Sequence, residues 1–406
     1  MHTISQLKSS VASILSGIDL NNVDDLYGAF ESADRTLIQQ AAIPEASDIQ
    51  NITLYAGVID YPCDQKIFGT AINDIRPQGI SRFPGDFVFK MFADDFDRNK
   101  LWGTKYGTMA TFQYYKGDPI IRIVSRYAQQ SIVIDPMSST SGWDTIGTAF
   151  NLRQDTTDFY QSPASLRFSL NTGIGTLLKT LQSPLSMESY QGVGVAFLAI
   201  QIPEGATPEQ LSQITLYLGS DDSNFDFVQA STGFLGNWVD NNWLLVAFDF
   251  ANATTNGSPD WTSIQYVQID FNWGGSTLNN MRTGYLFISL PTPAQILFQT
   301  PAIFKSTDGV VSSTIESVTD TVILNDAAYN IYLYECAEEV LRRTGGALAD
   351  SRMADIHSKL FGARARNGAV INPGLYDIYR GDNPSQELRQ AGNWYTGENY
   401  NTRPYT

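Results

Sequence analysis

The chain has 406 residues, 43% of them hydrophobic, 12% aromatic and 17% charged, a globular composition that excludes a disordered tail protein. Lys+Arg number 26 against 42 Asp+Glu, a formal charge of −16, and that balance repels phosphate and excludes a general nucleic-acid binder. With only two histidines and two cysteines, any chemistry would fall to carboxylates.

Ile4, Leu7, Val11, Ile14 and Ile18 recur at three and four and predict a short amphipathic helix closed near Gly17. Val23, Leu26, Phe30, Ala33, Leu37 and Ala41 repeat the spacing up to Pro44, so the chain opens on a helical hairpin. Alternation from Ile52 to Pro62 about Gly57 predicts a tight β-hairpin. A third helix is predicted over Asp86 to Arg98. The apolar runs Thr111–Tyr115 and Ile120–Val124 flank Lys116, Gly117, Asp118 and Pro119, the turn of a second hairpin.

From about residue 130 to 296 helical periodicity disappears. Short alternating segments replace it, including Leu166/Phe168/Leu170, Ile214/Leu216/Leu218, Leu244/Val246/Phe248 and Val267/Ile269/Phe271/Trp273. Such strands predict an antiparallel two-sheet β-sandwich over 128–296. The same stretch carries 4 Lys+Arg against 14 Asp+Glu, so most of the negative charge resides there.

Helical signals then return. Asn325 or Asp326 caps a helix marked by Ala327, Ile331, Tyr334, Ala337 and Leu341 and ended by Gly345 and Gly346. Met353, Ile356 and Leu360 mark another before Gly362. The stretch Tyr376 to Thr406 is rich in Gly, Asn and Tyr, with Asn383, Pro384 and Gln386 opening a short helix to Ala391. Terminal segments that each bury one apolar stripe cover both stripes by packing together. The expected fold class is therefore α+β: a discontinuous, mainly helical domain with β-hairpins over 1–127 and 297–406, and the sandwich inserted between.

Cys63 and Cys336 show no metal or disulfide spacing and read as small buried side chains. Neither His2 nor His357 reads as a ligand, and no cofactor is expected. The amino terminus lacks an apolar run of signal length, and no stretch of about 18 apolar residues occurs, so a cytosol-like compartment and no membrane association are expected. The carboxylate pairs Asp94/Asp95, Asp155/Asp158, Asp221/Asp222 with Asp226, and Glu338/Glu339 are adjacent in sequence, which gives no evidence of a facing catalytic pair because neighbours on a strand point to opposite faces. Asp221 and Asp222, with Ser223 and Asn224, offer oxygens to Ca²⁺ but match no calcium loop, and a solvated turn is the better reading. The glycine pairs Gly173/Gly175, Gly192/Gly194 and Gly274/Gly275 read as bulges and turns. Trp143, Trp238, Trp243 and Trp261, with Tyr217 on the polar face of its strand, suit either inter-sheet core or a sugar-stacking platform. Trp238, in a loop-like segment, is the tryptophan most open to solvent; Trp238 and Tyr217 are the candidate glycan contacts. Arg342, Arg343, Arg352, Lys359, Arg364, Arg366, Arg380 and Arg389 make the carboxyl-terminal region locally basic, which suits an interface to an acidic protein surface.

The opening helical hairpin, the segment Ile52–Pro62 and the terminal run Leu375 to Leu388 resemble tailed-bacteriophage head-to-tail connector (neck, adaptor) proteins. The middle, around Gly142-Trp143-Asp144, Ser162–Ser169 and Leu218–Ser223, resembles the jelly-roll, galactose-binding-like modules of phage structural proteins. This resemblance implies a non-enzymatic virion component, assembled in the host cytoplasm and located at the neck. It also implies self-association in a ring, commonly twelvefold, docked to portal and tail proteins around the DNA exit path without sequence-specific DNA recognition. The assembly interface is then expected at Arg342, Arg343, Leu375, Tyr376, Tyr379, Arg380, Arg389 and Trp394. The alternative is a carbohydrate-binding tail or virion-surface module, and a carboxylate-based hydrolase ranks last.

Overall fold

A computed structural model describes residues 2–40, 43, 46–64, 72–78, 87–90, 107–115, 117–125, 127–128, 130–161, 163–300, 302–345, 347–364 and 370–381. Strand β1 (His2–Thr3) runs into α1 (Ile4–Ile14). A capping box fixes that start: the Thr3 hydroxyl accepts from the Gln6 N–H at 3.2 Å, and the Gln6 side chain accepts from the Thr3 N–H at 2.9 Å. Helix α2 (Leu26–Gln40) follows, with Phe30, Ala33 and Leu37 buried as their spacing predicts.

The next segment is β-structure: β2 (Ser47–Leu54), β3 (Asp60–Pro62), β4 (Ile72–Pro77), β5 (Phe87–Lys90), β6 (Gly107–Tyr115) and β7 (Asp118–Ser125). The β6–β7 hairpin forms as expected. The hairpin expected from Ile52 to Pro62 does not, because β2 pairs with Thr292–Gln299 and β3 with β7. Tyr61 explains the corner: its hydroxyl takes the Tyr55 N–H at 2.9 Å and donates to the backbone carbonyls of Tyr55 and Val58. That ties the connecting turn down between two sheets. Gly57 completes it at φ +90, where a Cβ would come within 2.9 Å of the Phe287 ring. The helix expected over Asp86–Arg98 is also corrected at its start. Phe87, Val88 and Phe89 favour a pleated surface and pair in parallel with Gly107–Ala110; residues 91–98 lie outside the described residues.

Ten strands build an antiparallel sandwich: β8 (Ser131–Asp135), β9 (Trp143–Asp155), β10 (Ser165–Leu185), β11 (Val195–Gln201), β12 (Leu211–Gly219), β13 (Phe225–Ala230), β14 (Trp243–Asp249), β15 (Thr254–Asn256), β16 (Ile264–Trp273) and β17 (Leu278–Ser289). The 21-residue β10 belongs to both layers. Its first part, Leu166–Leu170, pairs with β17, which continues to β11 and β14; its second, Gly173–Thr180, pairs with β16, which continues to β12, β13 and β15. Strand β9 follows it across both. Glycines make the crossover possible: Gly173 sits at φ +114, and a Cβ on Gly175 would fall 2.4 Å from Leu170 Cδ2. Between the layers Leu166, Phe168, Leu177, Leu216, Ile269 and Phe271 are buried, as alternation predicts.

The first layer does not face water on its far side. Val195, Phe197 and Phe287 pack there against Leu54, Tyr61, Ile75, Ile121 and Ile296 from outside residues 128–296 or at their edge. Cutting the sandwich out at those boundaries would bare that apolar face. Within the discontinuous, mainly helical domain expected over 1–127 and 297–406, the described residues between α2 and residue 127 are chiefly strands.

After β18 (Thr292–Gln299) come the short strands β19 (Phe304–Lys305), β20 (Val311–Ser312) and β21 (Thr321–Val322), the last paired with β1. Helix α3 (Asp326–Thr344) starts on the predicted Asn325 cap, which accepts from the Ala328 N–H at 2.9 Å, and stops at Gly345 with φ +67. Helix α4 (Ala347–Phe361) also matches its expectation. Helix α5 (Leu375–Gly381) forms in the Gly/Asn/Tyr-rich stretch ahead of the helix expected from Asn383, because Tyr376 and Tyr379 are buried at its contact with the body. The helix expected from Asn383 lies outside the described residues. The five α-helices among the described residues share one core, so the described amino- and carboxyl-terminal segments build a single body.

Glu335 of α3 is buried in that body and accepts a hydrogen bond from the Tyr376 hydroxyl at 2.9 Å. Burial, reinforced by Glu338 and Glu339 and opposed by the Tyr376 bond and Arg342, pushes its pKa up to about 7 from 4.5. The folded state therefore keeps a proton that the unfolded chain has lost between those values, and stability falls as pH rises from 4.5 to 7. Buried Asp34, raised mainly by desolvation, adds to the same trend. Glu335→Gln keeps an acceptor for Tyr376 and is expected to unfold at a higher temperature than wild type above pH 7, with the two curves converging below pH 4.5. Thermal unfolding by circular dichroism across pH checks this.

Candidate functional site

Alternation along β12, β13 and β16 buries one set of side chains between the layers and turns the other set outward. Outward on β16 are Tyr266, Gln268, Asp270 and Asn272; the register sets Tyr217 of β12 opposite Gln268, and Phe227 of β13 opposite Tyr217. The result is a cluster of half-buried rings on one sheet face. Tyr217 and Phe227 stack with centroids 5.3 Å apart, Tyr217 and Phe225 meet edge to face at 5.4 Å, and Phe225 and Tyr266 stack at 6.0 Å.

A hydrogen-bonded polar row runs beside the rings. The Tyr266 hydroxyl donates to Gln268 Oε1, Gln268 Nε2 donates to Asp270 Oδ1 at 2.9 Å, and Thr176 of β10 donates to the same oxygen at 2.6 Å. Burial, then the Asp270 charge and a hydrogen bond to it, push the Tyr217 phenol up to about 12, so it remains a protonated donor at neutral pH. Beyond Thr176 the face ends in Ile174 and Ile146, each about half exposed.

Of the two candidate glycan contacts, the structure puts Tyr217 on this face and Trp238 elsewhere. Trp238 is 7% exposed and packs in the sandwich core, because its loop closes over the apolar end between the layers. The other tryptophans of the sandwich are also structural. Trp143, Trp261 and Trp273 are buried, and Trp243 and Trp261 donate to Asp158 and Asp226 at 2.8 and 2.6 Å. Phe225, Phe227 and Tyr266 are the members that sequence reasoning missed. Their signal was the complementary face of strands already read for their core stripe, such as Tyr266/Gln268/Asp270 between Val267, Ile269 and Phe271.

The carboxylate pairs are held by cations or by backbone. Asp155 lies 2.9 Å from Arg282 Nε and 3.4 Å from Arg167, and Asp158 lies 3.6 Å from Arg282. Burial raises the Asp155 pKa, but hydrogen bonds from Thr157 together with Arg282 outweigh it and hold the carboxyl below the usual range. Asp221 accepts from the N–H groups of Ser223 and Asn224 at 2.9 and 3.0 Å, and so shapes its turn. Glu338 is 2.6 Å from Arg342, and Asp94 and Asp95 lie outside the described residues. Among the described residues no group of three His, Cys, Asp or Glu side chains is arranged to hold a metal, and no helix is long and apolar enough to cross a membrane.

The expected assembly residues divide. Tyr376 and Tyr379 are 1% and 4% exposed and belong to the helical core, a correction to their assignment as surface contacts, and Leu375 packs against that core. Arg343 is engaged within the body by Asp25 and Glu339, and Arg342 by Glu338, although half of the Arg342 side chain stays exposed. Arg380 lies on α5. Arg389 and Trp394 are outside the described residues.

No family model matches the chain, and no curated protein matches it. Solved structures similar to part of it include a family 30 carbohydrate-binding module, 13% identical over 40% of this chain and 99% of that one, with a TM-score of 0.31. Another is the family 30 module of the cellulosomal cellulase Cel9D-Cel44B of Clostridium thermocellum, 15% identical over 39% and 92%, with a TM-score of 0.27. A third is the CBM22-1 xylan-binding domain of Paenibacillus barcinonensis Xyn10C, 13% identical over 40% and 92%, with a TM-score of 0.25. The position of Trp238 carries its own test: Trp238→Ala is expected to destabilise the protein by about 3 kcal/mol or more, measured by chemical denaturation, and an unchanged midpoint would place the ring outside the core.

Proposed function

We propose that the chain is a non-catalytic binding protein whose sandwich takes a glycan chain across the outer face of β12, β13 and β16. The observation that carries this reading is the four-ring cluster of Tyr217, Phe225, Phe227 and Tyr266 beside the Gln268–Asp270–Thr176 row. A pyranose has an apolar C–H face and a rim of hydroxyls. Rings presented at a sheet surface take the first through loss of hydrated apolar area, and fixed amide and carboxylate groups take the second. Because the polar row is already bonded to itself, its side chains need little reordering when a ligand arrives. The acidic balance of this part of the chain favours a neutral glycan over an anionic one. Affinity electrophoresis of the full-length protein in gels containing neutral glucan, xylan or mannan tests the reading. At least one is expected to retard the protein, with Tyr217→Ala or Phe227→Ala weakening binding roughly tenfold, about 1.4 kcal/mol; unaltered migration in all of them, or variants that bind like wild type, would refute it.

The second reading is a ring-forming neck adaptor of a virion, docked to portal and tail proteins. Its support is the resemblance of the element order to connector proteins, with which the shared core of the described amino- and carboxyl-terminal helices, α5 anchored to α3 through Tyr376 and Glu335, is compatible. The two readings are compatible, since an assembly subunit can carry a binding module on its outer side. Negative-stain imaging of the full-length protein mixed with a portal is expected, on this reading, to give rings seated on the portal; a chain that stays monomeric and unattached removes it.

A further inference from the structure

A pocket of about 390 Å³ opens at one end of the sandwich, between the loop after β8 and the far end of β10. It is separate from the ring cluster, since its charged side chains, Asp135 and Lys179, do not belong to that outward set. Lys179 Nζ lies 2.6 Å from Asp135 Oδ2 and 5.4 Å from the centroid of the Trp143 ring, with 16% of the lysine and 8% of the aspartate side chain exposed. The pair is therefore fixed and largely withdrawn from water while still lining the cavity. Ser138, Ser139 and Ser141 line the opposite loop, and Leu181 adds an apolar wall.

The loop is built to hold this shape. Asp135 Oδ1 takes the Met137 N–H at 2.6 Å, and Met137, fully buried, adopts φ +52, a conformation that a side-chain-bearing residue rarely accepts without being held. Gly142 turns the chain back at φ +76 against the Lys179 stem.

From this geometry we infer a second binding site, for one neutral polyhydroxylated ring. Lys179 retains N–H donors beyond its bond to Asp135, and the carboxylate retains lone pairs, so adjacent hydroxyls of a ligand can accept from the first and donate to the second. The serine hydroxyls serve either role, and the Leu181 wall takes a C–H face. Charge decides the ligand class. Asp135 cancels the lysine charge, so an anion meets repulsion from the carboxylate and from the acidic surroundings, and a cation meets the ammonium. The volume lies in the range of small-molecule sites.

Saturation-transfer NMR on the full-length protein tests this with methyl glucoside, methyl galactoside and methyl mannoside, and with methyl glucuronide as the anionic probe. At least one neutral glycoside is expected to receive saturation, and more strongly than the glucuronide. Lys179→Met strands Asp135 and endangers folding, so the exposed Ser141→Trp, which fills the pocket from its rim, carries the test: it is expected to weaken the signal at least tenfold. Both measurements are made in the Tyr217→Ala background, which weakens the outer face, so failure here and failure of the outer-face reading are distinguishable. In that background, no transfer to any neutral glycoside, preference for the glucuronide, or a signal that survives Ser141→Trp would each overturn the assignment.

Discussion

The crossing of β10 from one layer to the other is the constraint on which the sandwich depends. One strand supplies Leu166, Phe168 and Leu170 to the side paired with β17 and Leu177 to the side paired with β16. The layers therefore cannot separate or slide without breaking the strand's own ladder. A single-residue slip would also turn Leu177 outward and Thr176 inward, removing a core side chain and the donor to Asp270 together. Gly173 and Gly175 permit the crossing because the backbone there twists away from normal pleating and Leu170 and Ala149 occupy the space that a side chain would need.

The same strand links the core to both candidate binding regions. Thr176 steadies the polar row on the outer face, and three residues later Lys179 forms the ion pair of the end pocket. Folding and recognition thus draw on one rigid element, which keeps functional groups in place without a ligand. The opposite layer serves attachment instead. Its outer face is covered by β2, β3, β4, β6, β7 and β18, which join the sandwich to the helical body. Among the described residues, the second layer is the one that presents aromatic rings to solvent in a cluster, which is why the binding proposal rests there.

Local signals in the sequence were reliable where one short interaction decides the structure. The Asn325 cap, the stops at Gly345 and Gly362, and the stripe Val267/Ile269/Phe271/Trp273 could be read directly, since each depends on neighbours in the chain. Partner choice was not legible. Ile52 to Pro62 has the composition of a hairpin, yet its two strands join different sheets, because the Tyr61 hydroxyl holds the turn as a corner. Trp238 shows the same limit: a loop rich in Asn and Gly looks exposed until a distant apolar opening is found to need a lid. For the outer face, Tyr217 was identifiable alone, but its partners follow only from the register of β12 against β13 and β16. A sheet surface is assembled by long-range pairing, and adjacency in sequence does not report it.

The central claim is that the ring cluster on the second layer is where a glycan lies. Hydroxyl-radical footprinting of the full-length protein, with and without a polysaccharide that retards it in gels, reads those side chains directly. The account predicts lower labelling at Tyr217, Phe225, Phe227 and Tyr266, with Tyr114 and Phe159, both exposed and away from that face, unchanged. Undiminished labelling at all four rings, with protection confined to other parts of the chain, would contradict it.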